Sequence, residues 1–223
     1  MATRLYMNLT NNCNANCEFC CMYSSICKKT FLSFERFKSN IDCVIDDIEL
    51  QLEGGEPLLH RDFYLFLEYA RHVEKIKKII ILTNGIELKN HLPRIVDFHK
   101  YSKIPITIKV SINYWLLNMN KDHINWCQNY YYATEFIPDF NIMFNVRLRK
   151  NEDNNIIDSL KEKNLFDHSN VFYLQSYGRW TDKKDYEKPV IVQNIDNWYV
   201  FASDGTCFFR DLIARSEYEK TLD

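Results

Sequence analysis

The chain has 223 residues, 46% hydrophobic and 26% charged, which is enough apolar material for one sizeable core. A net charge of -2 argues against an obligatory electrostatic hold on nucleic acid. The opening stretch "MATRLYMNLTNN" has no apolar signal core, and no apolar run is long enough to span a bilayer. The expected compartment is therefore the cytoplasm, where the eight cysteines stay reduced.

A first strand is expected over 5–10. It runs straight into "NNCNANCEFCCMYSS" (11–25), where Cys13, Cys17 and Cys20 are spaced C-x3-C-x2-C and Cys21 follows directly. Asn11, Asn12, Asn14 and Asn16 suit a loop, because asparagine accepts tight turns and left-handed backbone. Three thiolates on such a loop can cap three corners of an iron–sulfur cluster, and the missing fourth ligand leaves one iron open. The alternative is a zinc site built from Cys13, Cys17, Cys20 and either Cys21 or Cys27, although no second C-x2-C pair exists to complete a knuckle.

A helix is expected over 33–47, capped by Ser33, with Phe34, Phe37, Ile41, Cys43 and Val44/Ile45 turned to the core. The strand over 48–53 leads into "LEGGEPLLH" (52–60). In a chain with five glycines, two stand side by side here, ahead of Glu56 and Pro57. Adjacent glycines at a strand end let another group approach the backbone closely, and a ligand is the expected one. A helix over 61–76 follows, then the near-continuous apolar strand "KKIIILT" and the turn Thr83–Asn84–Gly85.

Further strands are expected over 104–112, 141–148 and 171–175, with helices over 90–100, 121–132 and 153–166. This alternation is the pattern of βαβ units in a parallel sheet, whose ligands bind at the carboxyl ends of the strands. After Gln175 the rhythm stops. Residues 176–195 read as an irregular connection broken by Pro189, "NWYVFASDGTCFFRDL" as a hairpin around Asp204–Gly205, and the end as a short helix.

Taken in order, the cysteine triplet after strand one, "GGEP" (54–57) after strand two and "TNG" after strand three resemble the radical SAM superfamily, over residues 3–180. The resemblance implies an α/β fold: a partial (β/α)6 TIM-like barrel over 1–178 with a small C-terminal extension over 179–223. It implies a [4Fe–4S] cluster on Cys13, Cys17 and Cys20, with S-adenosylmethionine on the open iron. Phe19 then matches the adenine position, Gly54, Gly55 and Glu56 the motif that receives the methionine amino group, and Asn84 the cofactor side of the third turn. Ser111 or Asn113 in "KVSIN" matches a carboxylate or ribose contact, Arg147 a carboxylate contact, and Gly178 the backbone beside the adenosine.

The implied chemistry is reductive cleavage of S-adenosylmethionine to a 5′-deoxyadenosyl radical that abstracts hydrogen from a peptide or small-molecule substrate. The electron comes from a donor such as flavodoxin or ferredoxin. Two other readings remain: a nucleobase enzyme similar to 7-carboxy-7-deazaguanine synthase, and a zinc-stabilised α/β binding module without catalysis. "VFASDGTCFFRDL" looks like the opening of a SPASM or twitch extension. With Cys207 the lone cysteine there, a reduced substrate-covering cap is expected and an auxiliary cluster is not. Cys127 and Cys207 are the candidate hydrogen donors, with packing as the plainer role for each.

Overall fold

The structure, a computed structural model, describes residues 2–180 and 197–223. Strand and helix alternate as β1 (Thr3–Asn8), α1 (Phe34–Asp42), β2 (Ile48–Glu53), α2 (Phe63–Ala70), β3 (Ile76–Thr83), α3 (Leu88–Ser102) and β4 (Ile106–Asn113). Then come α4 (Tyr114–Met119), α5 (His123–Tyr132), β5 (Phe140–Leu148), α6 (Asn154–Glu162) and β6 (Ser169–Tyr173). Beyond the undescribed stretch lie β7 (Trp198–Phe201) and α7 (Leu212–Thr221). The seven strands form one sheet in the order β6-β5-β4-β3-β2-β1-β7, every pair parallel. The edge strands β6 and β7 do not pair, so the sheet is a partial barrel.

Alternation along the strands divides the sheet into two chemically different faces. Leu5, Met7, Leu50, Leu52, Ile79, Ile81, Ile108, Val110, Phe144 and Val146 are buried in one cluster with Phe37 and Ile41 of α1, Phe66 of α2, Ile95 of α3 and Leu160 of α6. The positions between them are mostly polar, with Arg4 beside Glu49, Tyr6 beside Gln51 and Asn8 beside Glu53 in register. Lys109, Ser111 and Asn113 of β4, and Asn145 and Arg147 of β5, continue that inner face.

All six strands expected from periodicity are present, and β7 adds a seventh. Local departures from the expectations have identifiable reasons. Helix α1 stops at Asp42, with Cys43 as its C-cap, so the 3.6-residue period no longer assigns faces beyond it. Val44 still packs, but Ile45 is 96% exposed, and Cys43 is exposed rather than in the core. Helix α4 went unread because six residues carry too little periodicity; it is held by its N-cap, Asn113 Oδ1 accepting from Leu116 N at 3.0 Å. Most of the connection expected over 176–195, Pro189 included, lies outside the described residues.

The expected hairpin is present. The chain turns at Gly205 (φ +90°), Ala202 N donates to the Thr206 carbonyl and Phe208 N to the Val200 carbonyl, each at 2.9 Å. Its first arm, β7, also joins β1 in parallel register, which local sequence cannot specify. Asp211 then caps α7 by accepting from Ile213 N and Ala214 N. The helix delivers Arg215 to Glu53 at 2.6 Å, with both side chains buried. Glu219 accepts from Asn8 Nδ2 and from the amide and hydroxyl of Ser203. Arg215→Met should cost about 3–5 kcal/mol in urea unfolding, because it strands the Glu53 carboxylate in a buried site, and adding Glu53→Gln should recover part of the loss.

Candidate functional site

The segment from Leu9 to Leu32 leaves β1 and returns to its end, with Leu32 N donating to the Leu9 carbonyl at 2.8 Å. Asparagine side chains stitch the loop from within. Asn11 Oδ1 accepts from Thr30 N at 3.0 Å, and Asn12 Nδ2 donates to the carbonyls of Ile26 and Lys28 at 3.1 and 2.8 Å. Asn16 takes the left-handed conformation at φ 45°. Cys13 is buried, and Cys17 and Cys20 are half-buried. The three thiols lie close enough that each neighbour's charge opposes ionisation, Cys20 and Cys13 acting on Cys17 and Cys20 on Cys13. Burial is the larger cause, pushing Cys13 up to about 12 and Cys17 up as well. Cys27 is exposed, and Cys21 shares a hydrogen bond with the Tyr177 phenol. The charge of Cys20 opposes ionisation of Cys21 as well, so proximity alone does not separate Cys21 from the triplet.

The glycine pair seats this loop. Gly55 N donates to the Thr10 carbonyl at 2.6 Å and Glu56 N to the Asn12 carbonyl at 2.8 Å. A Cβ on Gly54 would lie 2.6 Å from the Thr10 oxygen, and one on Gly55 would press into the Asn12 carbonyl. The close approach that the glycines permit is made by the chain's own backbone. Just beyond them, Glu56 is fully buried. Its Oε1 accepts from Thr83 Oγ1 (2.8 Å) and Leu58 N (3.2 Å), its Oε2 from Asn84 N (2.7 Å). A carboxylate has about four acceptor positions, and these bonds use three of them. Asn84 completes the link, its Nδ2 donating to Asn14 Oδ1 at 2.8 Å and approaching Cys13 Sγ at 3.7 Å.

The far side of the loop is closed by the chain after β6. Gly178 (φ +65°) lies so close to the Cys21 backbone that a Cβ there would collide with it. Arg179, which sequence reasoning missed, donates from Nη1 to the Cys17 carbonyl (3.1 Å) and Asn16 Oδ1 (3.0 Å), and from Nη2 to the Tyr23 carbonyl (2.7 Å). Its only signal in the sequence was adjacency to Gly178. Phe19 packs between the rings of Tyr114 and Trp180, with centroids 5.5 and 6.2 Å away. Trp115 of α4 donates to the Ala15 carbonyl at 2.7 Å, and Tyr114 bonds Glu18.

The remaining candidates scatter more. Ser111, Asn113 and Arg147 share the inner face at the ends of β4 and β5, Asn113 in register with Arg147. The guanidinium of Arg147 lies 5.2 Å from the centroid of Phe172. Cys127 is buried in the apolar core, and Cys207 is exposed on the return after β7.

The donor set fits a cluster. Three soft thiols gathered on one loop, costly to ionise unaided, are stabilised as thiolates by a bound cationic metal. Among the described residues no three His, Cys, Asp or Glu groups converge as a single metal ion requires. A cubane places its thiolates on separate irons and needs no such convergence.

A family model described as the radical SAM superfamily matches residues 7–121. The chain belongs to the radical SAM superfamily. GTP 3′,8-cyclase of Staphylococcus epidermidis is 31% identical over 96 residues, 39% of this chain and 28% of that protein. GTP 3′,8-cyclase of Aquifex aeolicus is 34% identical over 94 residues, 40% of this chain and 29% of that one. The chain thus matches less than a third of the length of these radical SAM relatives. Streptococcus suis SuiB, solved bound to its precursor peptide SuiA, aligns over 84% of this chain and 43% of its own, with a TM-score of 0.59 and 20% identity, a likeness of fold. Among the described residues no helix is long and apolar enough to cross a membrane.

Gly55→Ala should lower stability by about 1–3 kcal/mol in thermal melts, since the Asn12 carbonyl must move. Burial raises the Glu56 carboxyl from 4.5 to about 7, outweighing three hydrogen bonds that favour its ionised form. Below pH 4.5 the group is protonated in both the folded and the unfolded chain. Between there and pH 7 the unfolded chain gives up the proton first, so the group's contribution to stability falls as pH rises, by about 3 kcal/mol in all. Urea midpoints of the cofactor-free chain should carry this downward slope and lose it in Glu56→Gln; equal slopes would refute the assignment.

Proposed function

We propose that this radical SAM protein holds a [4Fe–4S] cluster on Cys13, Cys17 and Cys20 and uses S-adenosylmethionine to act on a peptide. The observation that carries the reading is the gathering of three mutually close thiols on one loop seated against Gly54–Glu56. When bound, a cluster held by Cys13, Cys17 and Cys20 together with S-adenosylmethionine would supply one-electron chemistry for hydrogen-atom abstraction from the substrate.

The chain's residues bind and orient. Glu56 receives the methionine amino group beside the Gly54–Gly55 backbone, and Asn84 braces that corner. Asn113 has spent its Oδ1 on capping α4, which leaves its amide N–H groups to donate, with Ser111, to the ribose or carboxylate. Arg147 takes the carboxylate, while Phe19 and the Gly178 backbone flank the adenine and adenosine. The partial barrel keeps water from the radical. Eight free thiols suit a reducing cytoplasm, where a flavodoxin or ferredoxin supplies the electron.

What supports a peptide is the fold neighbour SuiB, solved bound to its precursor peptide, which aligns along 84% of this chain.

Anaerobic reconstitution tests the reading. The expected product is a brown protein with about four irons per chain that forms 5′-deoxyadenosine under reductant. Ala at Cys13, Cys17 or Cys20 should abolish the colour, and Ala at Cys21 or Cys27 should leave it. A colourless chain with one zinc would sink the proposal.

A further inference from the structure

The two edges of the sheet are treated differently. Beside β7, the return through Phe208 and Phe209 bonds Val200 on the side away from β1. At the other edge, β6 pairs with β5 and, among the described residues, with no other strand. Its five residues, Ser-Asn-Val-Phe-Tyr, contain no lysine, proline or bulge, the usual devices that blunt an exposed edge. Instead Val171, Phe172 and Tyr173 are 39%, 44% and 58% exposed.

Leu174 N donates to the Leu148 carbonyl, toward β5. In a parallel strand, alternate residues turn their N–H and C=O to the same neighbour, so Phe172 and Asn170 also face β5. Val171 and Tyr173 turn theirs outward. The outward groups and the exposed side chains therefore coincide at two residues, with Phe172 presented on the inner side.

We infer that β6 is a docking edge that accepts an extended segment of the substrate peptide as an added strand; this rests on the peptide reading proposed above. Outward N–H and C=O groups in strand geometry call for an extended backbone, and exposed Val and Tyr call for β-branched or aromatic partners across the pair. A five-residue edge covers far less than the roughly 1,200 Å² of a stable protein–protein interface, so it suits a peptide better than a second folded copy. The edge also leads to the candidate site. Gly178, five residues beyond Tyr173 and so within about 17 Å of it, lies against the Cys20–Cys21 backbone. A strand laid along β6 is thereby aimed at the cysteine loop.

The test uses the reconstituted full chain and a fluorescein-labelled hexapeptide, Thr-Val-Thr-Val-Thr-Val, with a control carrying proline at its third position. Hydrogen exchange should slow at the amides of Val171 and Tyr173 when the hexapeptide is added and stay unchanged with the control. Tyr173→Pro, which removes one outward N–H, and Val171→Lys, which charges the edge, should each weaken binding about tenfold, with substrate-free cleavage of S-adenosylmethionine unchanged. The inference is overturned if the peptide does not bind, if it binds without protecting those two amides, or if both variants bind like the parent. It is equally overturned if protection rises with protein concentration alone, which would mark a second copy on the edge. Cluster formation and peptide docking are read separately, so a chain that docks the peptide without forming a cluster defeats the proposed function and leaves this inference standing.

Discussion

The seam between two backbones is the contact on which the candidate site depends. Residues 10–12 at the end of β1 and Gly55–Glu56 at the end of β2 hydrogen-bond to one another at 2.6 and 2.8 Å, a closeness that side chains at 54 and 55 would forbid. Because the cysteine loop starts at this seam, its position relative to Glu56 is set by main-chain bonds rather than by flexible side chains. Thr83 and Asn84 then tie the end of β3 into the same carboxylate. Three strand ends thus meet around one buried acid, and Asn84 links that corner to Cys13 Sγ at 3.7 Å.

The remainder of the chain closes around that arrangement. Gly178 and Arg179 hold the loop from the chain after β6, and the C-terminal segment holds it beside them, Ser216 of α7 bonding the Cys21 carbonyl and Asn11 reaching the Asp223 carbonyl at 3.2 Å. The ion pair of Arg215 with Glu53 anchors this last helix to the polar inner face. An apolar inner face would pack more cheaply, since buried charges repay their desolvation poorly unless well paired. Its polarity is what leaves hydrogen-bonding groups available to a ligand inside the partial barrel.

Much of this was legible beforehand for local reasons. Strands such as "IELQLE" and "KKIIILT" carry their own burial pattern, and the triplet and GGEP are contiguous motifs. Errors arose where a local period was extended past its element, as at Cys43 and Ile45, or where an element was too short to show one, as in α4. Arg179 could not be found by pattern, because its partners are carbonyls of residues more than 150 positions away.

The sequence by itself determined the alternation of strands and helices, the turn at Gly205 and the spacing of three thiols, all properties of side-chain period and local backbone preference. Tertiary structure alone decided which surface each glycine serves, that β7 joins β1 in parallel, and that Arg215 reaches Glu53 across 162 positions. It also decided that, among the described residues, β6 pairs on one side while β7 is bonded on both. Those outcomes depend on which distant backbones come within hydrogen-bonding distance, and a one-dimensional pattern carries no record of that.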